Sequence, residues 1–358
     1  MNVTTRLVTT PGARVALDER LAPANRPLWS MSTSQSAMPT APLIWQDRLL
    51  FVDGPAEGEP TTLYCVAATD GSEIWSRLSD STACAHSVSA LCGGLALFHG
   101  IDWSHPLQAY SINTGACQWT VPDVRPGSID AITADRRVFI DDNGSGAPRL
   151  CAIESTTGAM LWSQNYGGVA CAEALIGTVL VLLVQDQAID RTDVVAVSSE
   201  GGQELWRSGA GLGASFVQVS AAEQCVIATS ADGIVMSLSL ESGQLRWRWR
   251  SNSGTASPPI QVDDEVMFVS DGCFVVLDVR TGAERRRVPI QPHKWPGPSC
   301  GLVAGDMYLF GTGSGVSALN RDTGRLVWEW APGVPCGAPV AHQGRLFVAT
   351  ADGKVHCL

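Results

Sequence analysis

One short phrase recurs along the chain. Its clearest copy is Val316-Ser317-Ala318-Leu319-Asn320-Arg321-Asp322-Thr323-Gly324-Arg325-Leu326-Val327-Trp328. It reads as an alternating strand, a tight turn at Thr-Gly and a second strand closing on tryptophan. The turn glycines are Gly71, Gly115, Gly158, Gly202, Gly243, Gly282 and Gly324, spaced 39 to 44 residues apart. Four residues after each stand Trp75, Trp119, Trp162, Trp206, Trp247, Arg286 and Trp328. A period in this range means stacked supersecondary units that bury their apolar faces only against one another. The repeat assigns these tryptophans to architecture, so function has to come from the residues outside it.

Between the phrases run β-branched and apolar segments bounded by Gly, Asp and Asn. Examples are Arg48-Leu49-Leu50-Phe51-Val52, Val179-Leu180-Val181-Leu182-Leu183-Val184 and Cys225-Val226-Ile227-Ala228-Thr229. No segment shows a helix-length amphipathic period. Each unit therefore reads as a four-stranded antiparallel sheet, and the phrase supplies its third and fourth strands. Residues 1–25 lack the phrase and read as a partly ordered N-terminal arm. Arg26-Pro27-Leu28-Trp29 resembles an isolated fourth strand. At the other end, Gly344–Thr350 and Lys354–Leu358 read as second and third strands with nothing after them. Joining the two ends makes an eighth unit. The predicted fold is all-β: an eight-bladed propeller over 26–358, closed by an N-terminal strand in the C-terminal blade, which leaves only short outer edges.

The phrase, with Gly and Trp four apart, resembles the repeat of the quinoprotein-dehydrogenase-like eight-bladed β-propellers, in which the tryptophan docks on the neighbouring blade. The resemblance covers Arg26 to Leu358. It implies the fold; one fold hosts many functions. Family dehydrogenases carry an adjacent Cys-Cys pair over a quinone cofactor and an acid set holding calcium. This sequence has no adjacent cysteines and no recognisable acid set, so no cofactor and no metal site are expected. Asp141-Asp142-Asn143 and Asp263-Asp264-Glu265 are oxygen-rich, but read as solvated turns before a hard-cation site. Other propellers of this repeat family resemble outer-membrane assembly platforms and sensor domains of bacterial kinases.

A net charge of −11 argues against nucleic acid and membrane surfaces as partners. The eleven cysteines show no Cys-x-x-Cys and no zinc spacing. The first twenty residues lack a signal-peptide core, and no stretch has the roughly 20 apolar residues of a membrane span. A cytoplasmic monomer with reduced thiols is the expectation. Cys84, Cys171 and Cys336 fall eight or nine residues after a docking tryptophan, where Ala37, Ser128 and Ser215 stand elsewhere. The position reads as small-residue packing, with a nucleophile or metal ligand as the alternative.

Loops on a rigid scaffold concentrate function. His99-Gly100-Ile101-Asp102-Trp103-Ser104-His105 and Gln291-Pro292-His293-Lys294-Trp295-Pro296 each hold a tryptophan outside the docking positions. Aromatics with a few polar groups suit a small-molecule pocket. Trp103, Trp295, Tyr166 and Glu173 are the candidate substrate-binding residues; His99, His105, His293 and Lys294 are the candidate catalytic residues. The alternative for each ring is a cap on the core, and for each polar group a solvated loop. There is no Gly-x-Ser-x-Gly elbow and no P-loop. The leading expectation is a channel-mouth enzyme for cyclisation, rearrangement or isomerisation of a mainly apolar small molecule, chemistry in which shape supplies much of the rate. The rival is a non-catalytic scaffold or sensor with a protein partner, marked by an exposed apolar patch.

Overall fold

The seven phrase turns form as the sequence requires. Each turn glycine has φ between 65° and 75°, a region that L side chains disfavour. Each donates its N–H to the carbonyl four residues earlier at 2.7–2.9 Å. Beyond the turn, every one of the seven hairpins carries a β-bulge at the same place, just before the docking position. Cys65 pairs with Trp75 and Val66 with Glu73, so Ile74 is left over. Leu161, Leu205 and Val327 are left over in the same way. A bulge bends its strand and re-aims the next side chain. Here it turns the tryptophan toward the neighbouring blade and leaves the preceding residue outside.

In this computed structural model the hairpins assemble into eight sheets. Described are residues 14–16, 21, 23–34, 37–53, 60–78, 86–100, 106–126, 131–134, 136–144, 146–186, 191–208, 214–220, 223–230, 232–254, 256–290 and 301–358. From the inner strand outward, blade one spans 43–78, two 86–121, three 132–164, four 169–208, five 214–250, six 260–289 and seven 302–330. Blade eight takes three strands from 340–357. Its outer strand is Trp29–Ser32, which pairs antiparallel with Lys354–Cys357. The ring is closed as expected. No helix of the described residues is long and apolar enough to cross a membrane.

The core is a series of eight seams. Each buried apolar cluster joins two consecutive blades, including blades eight and one. A seam is fastened at its outer end by the tryptophan. Trp75 Nε1 donates to Ile112 O at 2.8 Å, and Trp29, Trp119, Trp162, Trp206 and Trp247 donate at 2.8–3.2 Å to the corresponding carbonyls of the next blade. The receiving carbonyl lies three residues before the turn glycine. The indole face also covers the glycine itself: a Cβ on Gly243 would come within 2.4 Å of Trp206, and one on Gly115 within 2.7 Å of Trp75. The glycine is thus required both for its φ and for the space.

Two junctions differ. Between blades six and seven Arg286 stands for tryptophan. Its Nη1 donates to Arg321 O at 2.9 Å, the equivalent carbonyl, while Val288 covers Gly324. The guanidinium replaces the indole N–H and a valine replaces its area. Between blades seven and eight the half-buried Trp328 has its Nε1 without an acceptor.

One strand is not part of the repeat. Arg14–Ala16, within the arm, pairs in parallel with the inner strand of blade seven, Arg14 with Leu302 through Ala16 with Ala304. It also lies against the inner strand of blade six.

Candidate functional site

Three of the connections between blades are held by carboxylates. Asp53 and Asp142 occupy the same position at the end of a second strand, and Asp271 the next one. Each holds the connection entering its own blade. Asp53 accepts from Ser34 Oγ and Thr62 N, both at 2.6 Å. Asp142 accepts from Arg125 N at 3.0 Å and Arg149 Nε at 2.7 Å. Asp271 accepts from Ser251 Oγ, Asn252 N and Ser253 N at 2.7–3.1 Å. Burial alone pushes the Asp271 carboxyl up, but the donors on Ser253, Asn252 and Ser251 outweigh it and hold the group at about 2. A carboxyl that stays ionised and fully engaged is a strut and no proton donor.

The expected solvated turn at Asp141-Asp142-Asn143 is corrected by the same feature. Asp141 and Asp142 are buried at the end of a strand, and Asn143 Nδ2 donates to Asp141. Sequence reasoning missed these struts because one aspartate after a strand looks like any turn residue; its partners come from the connection entering its blade and, for Asp53 and Asp142, also from the same blade. Asp263 and Asp264 are exposed in a turn, paired with Arg321 and Arg285.

The candidate ligand residues are dispersed or undescribed. Trp103, His105, His293, Lys294 and Trp295 lie outside the described residues. The backbone of His99 pairs with Ser87 in blade two. Tyr166 is buried in the seam of blades three and four, and its hydroxyl donates to Gly202 O at 2.7 Å, at the turn that Trp162 covers. Burial, then the charge of Glu204, raises its pKa above the usual tyrosine range. Glu173 is half-buried at the bulge of blade four's inner strand. Cys336 is buried, with its thiol pushed up to about 12 by burial and then by Asp352, the mark of an inert core cysteine. Cys84 lies outside the described residues, and Cys171 is half-buried on an inner strand. Among the described residues no group of three or more His, Cys, Asp or Glu gathers to hold a metal ion. The donor set of a calcium-bound quinone is not assembled among them.

The surface that does stand out is the outer rim. Every exposed large apolar side chain among the described residues lies on an outer strand or, for Leu28, immediately before one. Five of them, Leu28, Ile74, Leu161, Leu205 and Val327, directly precede the docking tryptophan. They form two arcs. One runs over blades three to five with Met160, Leu161, Leu205 and Leu245; the other runs over blades seven, eight and one. Cys117 and Gln118 on blade two, and Glu284 and Arg285 on blade six, interrupt them. Around blade six the rim is charged: Arg285 pairs with Asp264 at 2.7 Å and Arg287 with Glu284 at 2.7 Å.

Eight blades, the Gly–Trp junctions and the closing strand give the chain the fold of the quinoprotein-dehydrogenase-like eight-bladed β-propellers. A family model described as "Outer membrane protein assembly factor BamB" matches this propeller over residues 190–330 and again over 312–358. A curated BamB of that description from Bordetella pertussis is 25% identical over 219 residues; the match takes in 55% of the propeller chain and about half, 54%, of that relative. The crystal structure of BamB from Moraxella catarrhalis superposes with a TM-score of 0.69 at 16% identity, covering 93% of this chain and 98% of that one. A europium-containing methanol dehydrogenase superposes at 0.63 with 13% identity, covering 96% and 90%. The two superpositions show the shared fold.

The matches overturn the leading expectation of a cyclase or isomerase acting on a small apolar molecule. The family model and the curated relative are both described as assembly factors. The scaffold reading fits them better.

Proposed function

We propose that this propeller is a non-catalytic protein-interaction scaffold that engages a protein partner through its outer rim. The observation that carries the reading is that, among the described residues, the exposed large apolar side chains lie on the outer strands or, for Leu28, just before one, most of them at or next to the bulge before the docking tryptophan. A solvated bulge position needs no apolar residue for the fold, and apolar surface rimmed by polar residues marks protein contact. Likeness to BamB, whose description is that of an assembly factor, supports the same role.

The thiols bear on compartment: the eight cysteines whose side chains are described are free, which supports a reducing environment and hence the cytoplasm. Fractionation of the source cells tests this; recovery with an outer membrane would overturn it.

The function is tested by placing a photo-crosslinking amino acid, in the full chain and in the source cell, at Leu161, Leu205 or Val327, with Gln118 and Glu284 as controls. A defined adduct with one identified protein is expected from the apolar positions and not from the controls. Leu161→Glu with Leu205→Glu should lose the complex if that arc binds, at unchanged melting temperature, because both side chains are already in water. Absence of an adduct from every rim position, or equal yield from the controls, would refute the rim as the binding surface.

A further inference from the structure

The inner edge of blade seven differs from the other seven. Among the described residues the inner strand of those blades is the last of its sheet, whereas in blade seven a fifth strand, Arg14–Ala16, has been added. Its pairing is parallel, the one such pairing among the described strands. The repeat does not call for it, since each blade is complete with four strands.

The edge it occupies is read through the backbone. Leu302, Val303 and Ala304 are buried, with Leu302 and Ala304 in the seam to blade eight and Val303 in the seam to blade six. What remains on the channel side is the row of N–H and C=O groups that any terminal strand presents. Main-chain pairing of this kind accepts many sequences and takes an extended segment as its ligand. Three paired residues are few, and a short two-stranded pairing is marginal by itself in water. The arm is helped by its tether. Residues 17–28 link it to the closing strand in the adjacent blade eight, and Leu21 packs against the seam of blades seven and eight. A short tether gives an effective concentration of roughly millimolar. A protein already bound to the propeller gains the same advantage, so its own extended segment can exchange with the arm.

We propose that the inner edge of blade seven is a strand-docking site that takes an extended polypeptide segment in parallel register, and that the chain's own residues 14–16 fill it in the isolated molecule. The proposal deepens the scaffold reading: the rim recruits a protein partner, and the channel edge receives an extended segment of it in place of the arm.

The test uses the full-length chain with Val15→Pro and Ala16→Pro together. Alternate amides of a strand point to opposite edges, so two adjacent prolines remove whichever N–H faces blade seven. Amide hydrogen exchange is followed at Leu302, Val303 and Ala304, with the melting temperature as a check that the ring is intact. Exchange at one or more of these amides is expected to become about fivefold faster, the loss of one net hydrogen bond. A synthetic peptide of residues 11–19 added to the variant should slow it again, while the same peptide carrying the two prolines should not. Unchanged exchange in the variant would show that the arm does not cover the edge. Faster exchange that the peptide fails to reverse would show that the edge does not bind a strand. Either result overturns the proposal. Neither touches the rim cross-links, so failure of the strand site and failure of the scaffold reading are distinguishable.

Discussion

Trp75→Ala is the most direct probe of how the ring is held. Trp75 is 8% exposed in the seam of blades one and two. Its ring covers Gly115 and its Nε1 donates to Ile112 O at 2.8 Å. Truncation removes the transfer energy of the indole and leaves a cavity, together about 3–5 kcal/mol. Ile112 O keeps a second donor, Arg48 Nη1 at 2.8 Å, so loss of the indole bond adds no more than about 1 kcal/mol. Trp75→Phe keeps a ring over the glycine and loses the hydrogen bond, so its cost should be about 1–2 kcal/mol. Arg286→Ala removes the bond to Arg321 O and a 3.7 Å ion pair with the half-buried Glu265, while Val288 still covers Gly324. It should cost about 1 kcal/mol. Urea unfolding followed by far-ultraviolet circular dichroism gives all three against the parent chain. The order Trp75→Ala, Trp75→Phe, Arg286→Ala is the result required. If Trp75→Ala cost no more than Arg286→Ala, the indole would not be the fastener of the seam.

Two further outcomes follow from the same geometry. Gly243→Ala places a methyl group within 2.4 Å of Trp206 at φ +68° and should cost more than about 2 kcal/mol, whereas Gly313→Ala, with open space around its Cβ, should stay within about 0.5 kcal/mol; equal urea midpoints would refute the docking argument. The buried His356 joins the closing strand to the ring, its Nδ1 2.7 Å from Ser30 Oγ and its Nε2 3.2 Å from Thr350 Oγ1, with the Trp330 ring at 5.0 Å. Burial lowers its pKa most; Asp352 opposes this and Lys354 adds to it. The neutral ring is thus favoured in the fold: its contribution is present above the unfolded histidine value near 6.5 and is lost as pH falls through the lower folded value. The urea midpoint should therefore drop on acidification from pH 7 to 5 more steeply in the parent chain than in His356→Gln, and parallel curves would remove His356 from the closure.

The sequence alone determined the number of blades, the strand order within each and the way the ring shuts. Those properties follow from local chemistry repeated at a fixed period: a glycine that must adopt positive φ, a tryptophan four residues on, and an unpaired strand at each end. The role of Arg286 was half legible. A missing tryptophan marks the junction, but only packing shows that Val288 covers the glycine while the guanidinium reaches the carbonyl. The bulge was not legible, because Ile74 or Leu161 beside a tryptophan reads as ordinary alternation; one extra residue in the pairing register puts it outside. The struts Asp53, Asp142 and Asp271 were hidden for a related reason, since they take donors from the connection entering each blade. Tyr166 looked available for a ligand until folding brought Gly202 O to its hydroxyl. The arm at Arg14–Ala16 carries no repeat signal at all, and its place beside Leu302–Ala304 exists only once the ring has closed and left an unpaired edge facing the channel. What a residue forms with neighbours a few positions away is written in the chain; what it forms with another blade is decided by the ring.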